Sequence, residues 1–373
     1  MGANGRSTSP PDPAESARTA GLRYATDDEP GLSIERTGDR LIVRDARGRM
    51  VRDRPTLDRV RKLVIPPAWR DVWVAADARA HLQATGRDAA GRKQYRYHSD
   101  WVAVRDATKY DRMAAFAKAL PHMRRRVSRD LRQRPLSRPA VLATVVTLLE
   151  RTNIRIGNEE YARQNGSHGL TTLRDRHVRV RGPRIRFDFR AKSGVRQTID
   201  LADARLAAAV RRCQDLPGQI LFQYLDEAGE VRSLTSSDVN AYLQEIAGGA
   251  FTAKDFRTWA GTLAAARALA ELGPAESQKA SRRTIVAAID RVAQQLGNTR
   301  AVCRKCYIHP AVIEAYTAGR VLTLASSNGR RPRGLSAEEA ALLGMLSRPP
   351  ARPEAAFALI RRARRPTTHA RAR

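Results

Sequence analysis

The sequence predicts an α+β chain, with a small antiparallel β-rich N-terminal domain ahead of a mainly α-helical one. Three observations carry this expectation. Between residues 32 and 98 apolar side chains alternate with polar ones in short runs broken by turn residues, the period-two signature of strands. From about residue 103 the period lengthens to 3.6, that of helices packed on one face. Around residues 185–199 the alternation returns once.

The elements follow in order. Residues 1–20 are rich in Ser, Pro, Ala and Gly without periodicity and read as a disordered leader. A β-rich domain is expected over residues 21–103. In it Leu32 and Ile34 alternate with polar residues, Thr37-Gly38-Asp39 turns, and Leu41 and Val43 return, which makes a hairpin. Another strand falls at residues 72–74, and a further pair flanks the turn region between Gly86 and Gly91. The helical domain is expected over residues 104–327. Pro139 suits the first position of a helix, where its missing N–H costs nothing, and Val141, Val145, Leu148 and Leu149 then share a face. Ile285, Ile289, Val292 and Leu296 form a second stripe, which Gly297 closes by taking the left-handed conformation of a helix cap. Between the stripes, Ile185, Phe187 and Phe189 lie on one strand, residues 191–194 turn, and residues 195–199 return. Residues 328–373 read as a tail rich in Arg, Pro and Ala. Seven Arg against one Glu in residues 351–373 suit either a phosphate-binding arm or a short helix near residues 355–360 that ends in solvated charge.

A net charge of +30 and a pI near 11.3 make the chain a partner for a polyanion at any cellular pH. Nucleic acid comes first, because no apolar run reaches the 18 residues of a membrane span and no signal-peptide core is present. A soluble, intracellular protein is expected. Only eight of the 68 basic residues are Lys, and because an ammonium can give up a proton where a guanidinium cannot, each Lys is a position to inspect. Three cysteines, Cys213, Cys303 and Cys306, are too few for a disulfide framework and fit a reducing compartment. Cys303 and Cys306 form a lone C-x-x-C near His309, which without a second pair falls short of a zinc site.

The sequence has no Gly-rich phosphate loop, no cluster of paired acids and no H-E-x-x-H, the usual parts of ATP hydrolysis and metal-dependent nuclease chemistry. Phosphoryl transfer is still open to side chains alone, if cations neutralise the phosphate and a hydroxyl attacks it. Four segments place Arg, Lys and Tyr beside chain reversals. They are Asn153-Ile154-Arg155-Ile156-Gly157-Asn158-Glu159, Phe189-Arg190-Ala191-Lys192-Ser193-Gly194, Lys254-Asp255-Phe256-Arg257-Thr258-Trp259, and Leu296-Gly297-Asn298-Thr299 leading to Tyr307.

In this order and at these intervals, the four segments resemble the catalytic domain of the poxvirus-like type IB DNA topoisomerases of bacteria. The N-terminal half agrees, through Leu63-Val64-Ile65-Pro66-Pro67-Ala68-Trp69, Asp71-Val72-Trp73, His81-Leu82-Gln83-Ala84-Thr85-Gly86 and Gly91-Arg92-Lys93-Gln94-Tyr95-Arg96-Tyr97-His98, which are similar to that family's DNA-clamping cap. The likeness runs from about residue 21 to 325. It implies a bilobed DNA clamp, with a helical domain of the kind shared by tyrosine recombinases and type IB topoisomerases.

The resemblance also implies roles. Tyr307 matches the nucleophile, which leaves a 3′-phosphotyrosyl bond and a free 5′-hydroxyl. Arg155 and Arg257 match the cations that bind the nonbridging oxygens, a task suited to the guanidinium fork. Lys192, at the tip of the expected hairpin, matches the acid that protonates the departing 5′-oxygen, which an ammonium can do and a guanidinium cannot. Asn298 stands nine residues before Tyr307, where viral and nuclear members carry His. Its amide donates a hydrogen bond but carries no charge, so a fifth cation or a proton relay is not expected there. In the cap, Arg92, Lys93, Tyr95 and Tyr97 are expected to meet DNA, with one Tyr as readily a core residue, and Gln83 and Gln94 are weaker candidates for groove contacts.

The activity so implied is relaxation of supercoiled duplex DNA by a monomer in the cytoplasm, at the nucleoid, with no ATP, metal or other cofactor. Two alternatives remain at the level of sequence: a tyrosine site-specific recombinase, and a noncatalytic architectural DNA binder. Against the first stand the residue 66–98 block and Lys254-x-x-Arg257, where recombinases show His-x-x-Arg.

Overall fold

The computed structural model describes residues 12–37, 40–89, 91–320 and 332–347. The chain divides into two compact units, with the boundary at residues 112 and 113, inside one long helix rather than near residue 103. Each unit has its own core.

The N-terminal unit opens with a helix where a disordered leader was expected. Helix α1 (Pro13–Thr19) is capped by Asp12, whose carboxylate accepts from the Ala14 N–H at 3.0 Å. Proline sits at its first position, and its Ala17 is buried with Leu22 and Trp101. That long-range burial is what orders it, since seven residues are too few for a helix to stand alone in water. Then come β1 (Gly31–Thr37), β2 (Arg40–Arg44), α2 (Arg54–Lys62), β3 (Arg70–Ala75), β4 (Leu82–Arg87) and β5 (Lys93–Tyr97). The five strands form one antiparallel sheet in the order β2-β1-β3-β4-β5. Leu32, Val43, Val74 and Ala84 point to one face, and α2 covers them through Val60, with Leu57 beside it. The alternation had marked these strands. Helix α2, short and rich in charge, had escaped it.

Helix α3 (Ser99–Asp130) runs across the boundary. After it come α4 (Arg138–Thr152), α5 (Glu159–Asn165), β6 (Val178–Arg181), β7 (Arg184–Arg190), β8 (Arg196–Ala202), α6 (Ala204–Gln214), β9 (Gln223–Leu225), β10 (Val231–Ser233), α7 (Ser236–Ala247), α8 (Ala253–Leu272), α9 (Gln278–Leu296), α10 (Arg300–Cys306), α11 (Pro310–Thr317) and α12 (Ala337–Leu346). Helix α4 begins at Arg138-Pro139 and is buried nearly all round, so it forms the centre of the unit rather than one amphipathic wall. Helix α9 ends, as its pattern requires, on a left-handed Gly297 with φ 57°. The expected hairpin is part of a three-stranded antiparallel sheet, β6-β7-β8. It buries Val178, Ile185, Phe187 and Phe189 on the face that receives α6.

Within the range expected as a basic tail, residues 332–347 are described and hold a helix. Helix α12 docks on α8, and its Glu339, 6% exposed, is held by Arg124 (Nη2 to Oε1, 2.6 Å), which also binds Glu150 at 2.6 Å. A buried carboxylate needs such a partner. The arm over residues 351–373 lies outside the described residues. Among those described, no helix is long and apolar enough to cross a membrane.

Candidate active site

The candidate residues of the C-terminal unit come from five separate pieces of chain. Helix α4 ends on Asn153, left-handed at φ 56°, which turns the chain sharply so that Arg155 follows one turn beyond the helix. Ile154, 1% exposed, anchors that turn in the core. A second strand of chain straps it: the Leu170 and Thr171 N–H groups donate to the Arg155 and Ile156 carbonyls at 2.8 and 2.7 Å. The approach is so close that a Cβ on Gly169 would stand 2.5 Å from the Arg155 carbonyl oxygen. Arg155 therefore sits on rigid backbone.

Arg257 lies in the first turns of α8, behind a capping box in which Asp255 returns to the Thr252 N–H at 2.7 Å. It is 4% exposed. Its Nη1 donates to the Asn153 carbonyl and its Nη2 to that of Leu296 at 2.8 Å, so one guanidinium ties together the C-terminal ends of α4 and α9. The carbonyl ends of helices attract a cation. Arg155 reaches the same end of α9, where its Nη2 donates to Asn298 Oδ1 at 2.7 Å and to the Gly297 carbonyl at 3.3 Å. Burial, and then the charge of Arg257, hold the Arg155 guanidinium below its ordinary range, though an arginine remains charged at neutral pH. Among the described residues neither guanidinium has a carboxylate partner. A buried and a half-buried like charge without a counterion are costly in the free protein, and an incoming anion relieves that cost.

Tyr307 caps the C-terminal end of α10, its N–H donating to the Cys303 carbonyl at 2.9 Å. The ring lies under Arg257, with the guanidinium carbon 5.2 Å from the ring centroid. Two neighbours from α8 set its backbone. A Cβ on Gly261 would come within 2.7 Å of the Tyr307 carbonyl oxygen, so only glycine lets that segment approach. Thr262, fully buried, donates its hydroxyl to the same carbonyl at 3.2 Å and accepts from the His309 N–H at 3.1 Å. Lys192 stands on the turn joining β7 to β8, exposed, followed by Ser193 and Gly194 in the left-handed region at φ 64° and 76°.

A pocket of about 340 Å³ gathers Arg155, Lys192, Arg257 and Tyr307, with Lys254 and His168 on its wall. Asn298 stands behind Arg155, and its buried Nδ2 has no partner among the described residues. Of these neighbours, Lys254 had a signal in the sequence, three residues ahead of Arg257 and so one helical turn away. Gly261, Thr262 and His168 had none, because their contacts with the site depend on segments far apart in the chain. Cys303 is buried in α10, and the His309 ring caps α11 by accepting from the Ala311 N–H at 3.0 Å. Among the described residues no three metal-binding side chains cluster.

Two family models match the chain: the catalytic core of eukaryotic DNA topoisomerase I over residues 98–323, and the N-terminal domain of bacterial DNA topoisomerase IB over residues 43–88. A DNA topoisomerase 1B of Acanthamoeba polyphaga mimivirus is 33% identical over 293 residues, which cover 77% of this chain and 87% of the viral one. The chain belongs to the type IB DNA topoisomerases. It is thus an enzyme whose family acts on duplex DNA, and the α+β order of a β-rich unit before a helical one is that family's.

In the enzyme's N-terminal unit, the residues expected to touch DNA divide. Tyr95 is 47% exposed and stacks on Tyr97, ring centroids 6.0 Å apart, while Tyr97 packs partly against Trp101. Arg92 Nε and Gln94 Nε2 both donate to Asp88 Oδ2, at 2.8 and 2.9 Å, and Lys93 pairs with Asp27 at 2.6 Å. Gln83 departs from expectation. It is 3% exposed, accepts from Arg59 at 3.0 Å and donates to the Ala78 and Ala80 carbonyls at 3.0 and 2.7 Å, so it braces a turn and offers no groove contact.

Proposed function

We propose that this enzyme relaxes supercoiled duplex DNA by nicking one strand through Tyr307, letting the cut strand rotate, and resealing it. The observation that carries the reading is the placement of the Tyr307 ring beneath Arg257, in one pocket with Arg155 and Lys192. The nearby Arg257 guanidinium offsets the negative charge of the step, and the Tyr307 hydroxyl attacks and loses its proton to solvent. Its oxygen forms a bond to the scissile phosphorus while the bond to the 5′-oxygen breaks. Arg155 and Arg257 bind the nonbridging oxygens, whose charge grows in the transition state. Lys192 gives its proton to the departing 5′-oxygen, and its exposure on a tight turn lets it meet that atom and recover the proton for the reverse step.

Because the 3′-phosphotyrosyl bond keeps the energy of the broken phosphodiester, resealing needs no nucleotide, and side chains supply the charge the step requires. Asn298 adds a neutral donor. Its Oδ1 is committed to Arg155 while its Nδ2 has no partner among the described residues, so the amide has a hydrogen bond left to give to phosphate. Arg92, Lys93, Tyr95 and Tyr97 are read as DNA contacts of the N-terminal unit, with Gln94 beside them. One chain supplies every catalytic group, which supports a monomer as the acting unit, and the substrate assigns its work to the nucleoid. The test is a suicide substrate, duplex DNA nicked just beyond the cleavage site. A covalent adduct mapped to Tyr307, and lost in Tyr307→Phe, is expected; an adduct on another residue would overturn the assignment.

A further inference from the structure

The solvent face of the β6-β7-β8 sheet carries six exposed arginines, namely Arg179 and Arg181 on β6, Arg184, Arg186 and Arg190 on β7, and Arg196 on β8. Two aspartates, Asp188 and Asp200, share that face. The register sets like charges directly opposite one another: Arg179 against Arg186, Arg181 against Arg184, and Arg190 against Arg196. Such pairs destabilise an antiparallel ladder. Asp188 answers Arg196 through two hydrogen bonds of 2.7 Å, and Asp200 stands 3.9 Å from Arg186. Among the described residues Arg179, Arg181, Arg184 and Arg190 form no salt bridge, and Asp188 reaches Arg179 only through space.

The fold does not ask for this charge. Its demand is met on the other face, where Val178, Ile185, Phe187 and Phe189 are buried, and neutral polar residues would serve the outer face as well. The charge is also continuous with the active-site pocket. A hollow of about 500 Å³ on the sheet is edged by Arg190 and Gly194, which flank the Lys192 turn, and by His177, whose ring meets that of His168 at 4.5 Å. His168 lines the active-site pocket.

We propose that this face is a second phosphate-binding surface, which holds the backbone of the same duplex beyond the scissile phosphate. The proposal rests on the function read above, and its occupant is duplex DNA because the face adjoins the pocket where that DNA is cut. Each arginine that neutralises a phosphate releases a counterion, so the surface contributes to the salt dependence of binding without entering the chemistry.

The test measures equilibrium binding of a duplex of about 40 base pairs by the full chain carrying Tyr307→Phe, over about 50 to 200 mM salt. Adding Arg179→Gln, Arg181→Gln and Arg184→Gln is expected to flatten the slope of log K against log salt by about 2 to 3, close to 0.9 per lost phosphate contact. The same three positions changed to Lys should keep the slope, since an ammonium also neutralises a phosphate. Removing equal charge from α9, by Lys279→Gln, Arg282→Gln and Arg283→Gln, should leave the slope close to that of the parent. An unchanged slope in the sheet variant, or an equal loss in the α9 variant, overturns the proposal. A missing covalent adduct with Tyr307 intact would instead overturn the functional reading, so the two fail separately.

Discussion

Asn298 offers the sharpest trial of the site, because one of its two amide atoms is committed and the other is not. Its Oδ1 accepts from Arg155 Nη2 at 2.7 Å, while its buried Nδ2 donates to none of the described residues. A buried donor left unmet costs about 1 to 3 kcal/mol, a cost that vanishes when a phosphate oxygen arrives to accept. If that oxygen gains charge in the transition state, losing the donor should slow cleavage about 10² to 10³-fold, equivalent to about 3 to 4 kcal/mol. Asn298→Ala removes both atoms. Asn298→Asp keeps an acceptor for Arg155 and replaces the donor with a negative oxygen, so it should be at least as slow as the Ala variant even though Arg155 stays anchored. Single-turnover cleavage of a suicide substrate at saturating enzyme measures both, free of product release. An Asp variant as fast as the wild type would refute the donor role and leave Asn298 only a seat for Arg155. An Ala variant as fast as the wild type would remove both roles.

Other outcomes follow from the same geometry. Lys192→Ala should slow cleavage severely, yet be rescued on DNA whose 5′-bridging oxygen is sulfur, a leaving group that needs no proton; a rate that stays slow there would rule out the general acid. Thr262→Val, nearly isosteric, removes the hydroxyl that bonds both the Tyr307 carbonyl and the His309 N–H. It should slow single-turnover cleavage and lower the melting temperature, whereas Thr262→Ser should restore both; an unaffected Val variant would mean the clamp is idle. Burial, then the neighbouring His168, pushes the His177 imidazole down to about 4. Because the fold prefers that ring neutral, stability should be whole above about pH 6.5 and decline as pH falls towards 4, where only the unfolded chain takes up the proton. His177→Gln should lessen that decline in urea titrations at each pH, and an unchanged pH profile would assign the acid sensitivity elsewhere.

The guanidinium of Arg257 does two things at once. It closes the carbonyl ends of α4 and α9 and covers the Tyr307 ring, so a change there loosens the scaffold as well as the charge. Arg257→Lys keeps the charge but cannot span both carbonyls with a planar fork, and it is no conservative substitution at this place.

The sequence by itself determined what local periodicity and local stereochemistry can carry. Alternating Leu32, Ile34, Leu41 and Val43 made a hairpin because period two puts them on one face, and Gly297 ended α9 because glycine alone takes a left-handed φ at no steric cost. The motifs around Arg155, Lys192, Arg257, Asn298 and Tyr307 were legible because their spacing is that of a family. Tertiary structure decided the rest. Helix α1 is ordered by the burial of Ala17 with Trp101, and α12 by a Glu339 that meets Arg124 some two hundred residues earlier. Gln83 is turned inward by Arg59 and the carbonyls of a turn, although its polar side chain reads as a surface group. Which atom of Asn298 is committed and which is left to give depends on Arg155, 143 residues away. No local pattern encodes such pairings, since a hydrogen bond between distant segments exists only after the chain has closed the loop between them.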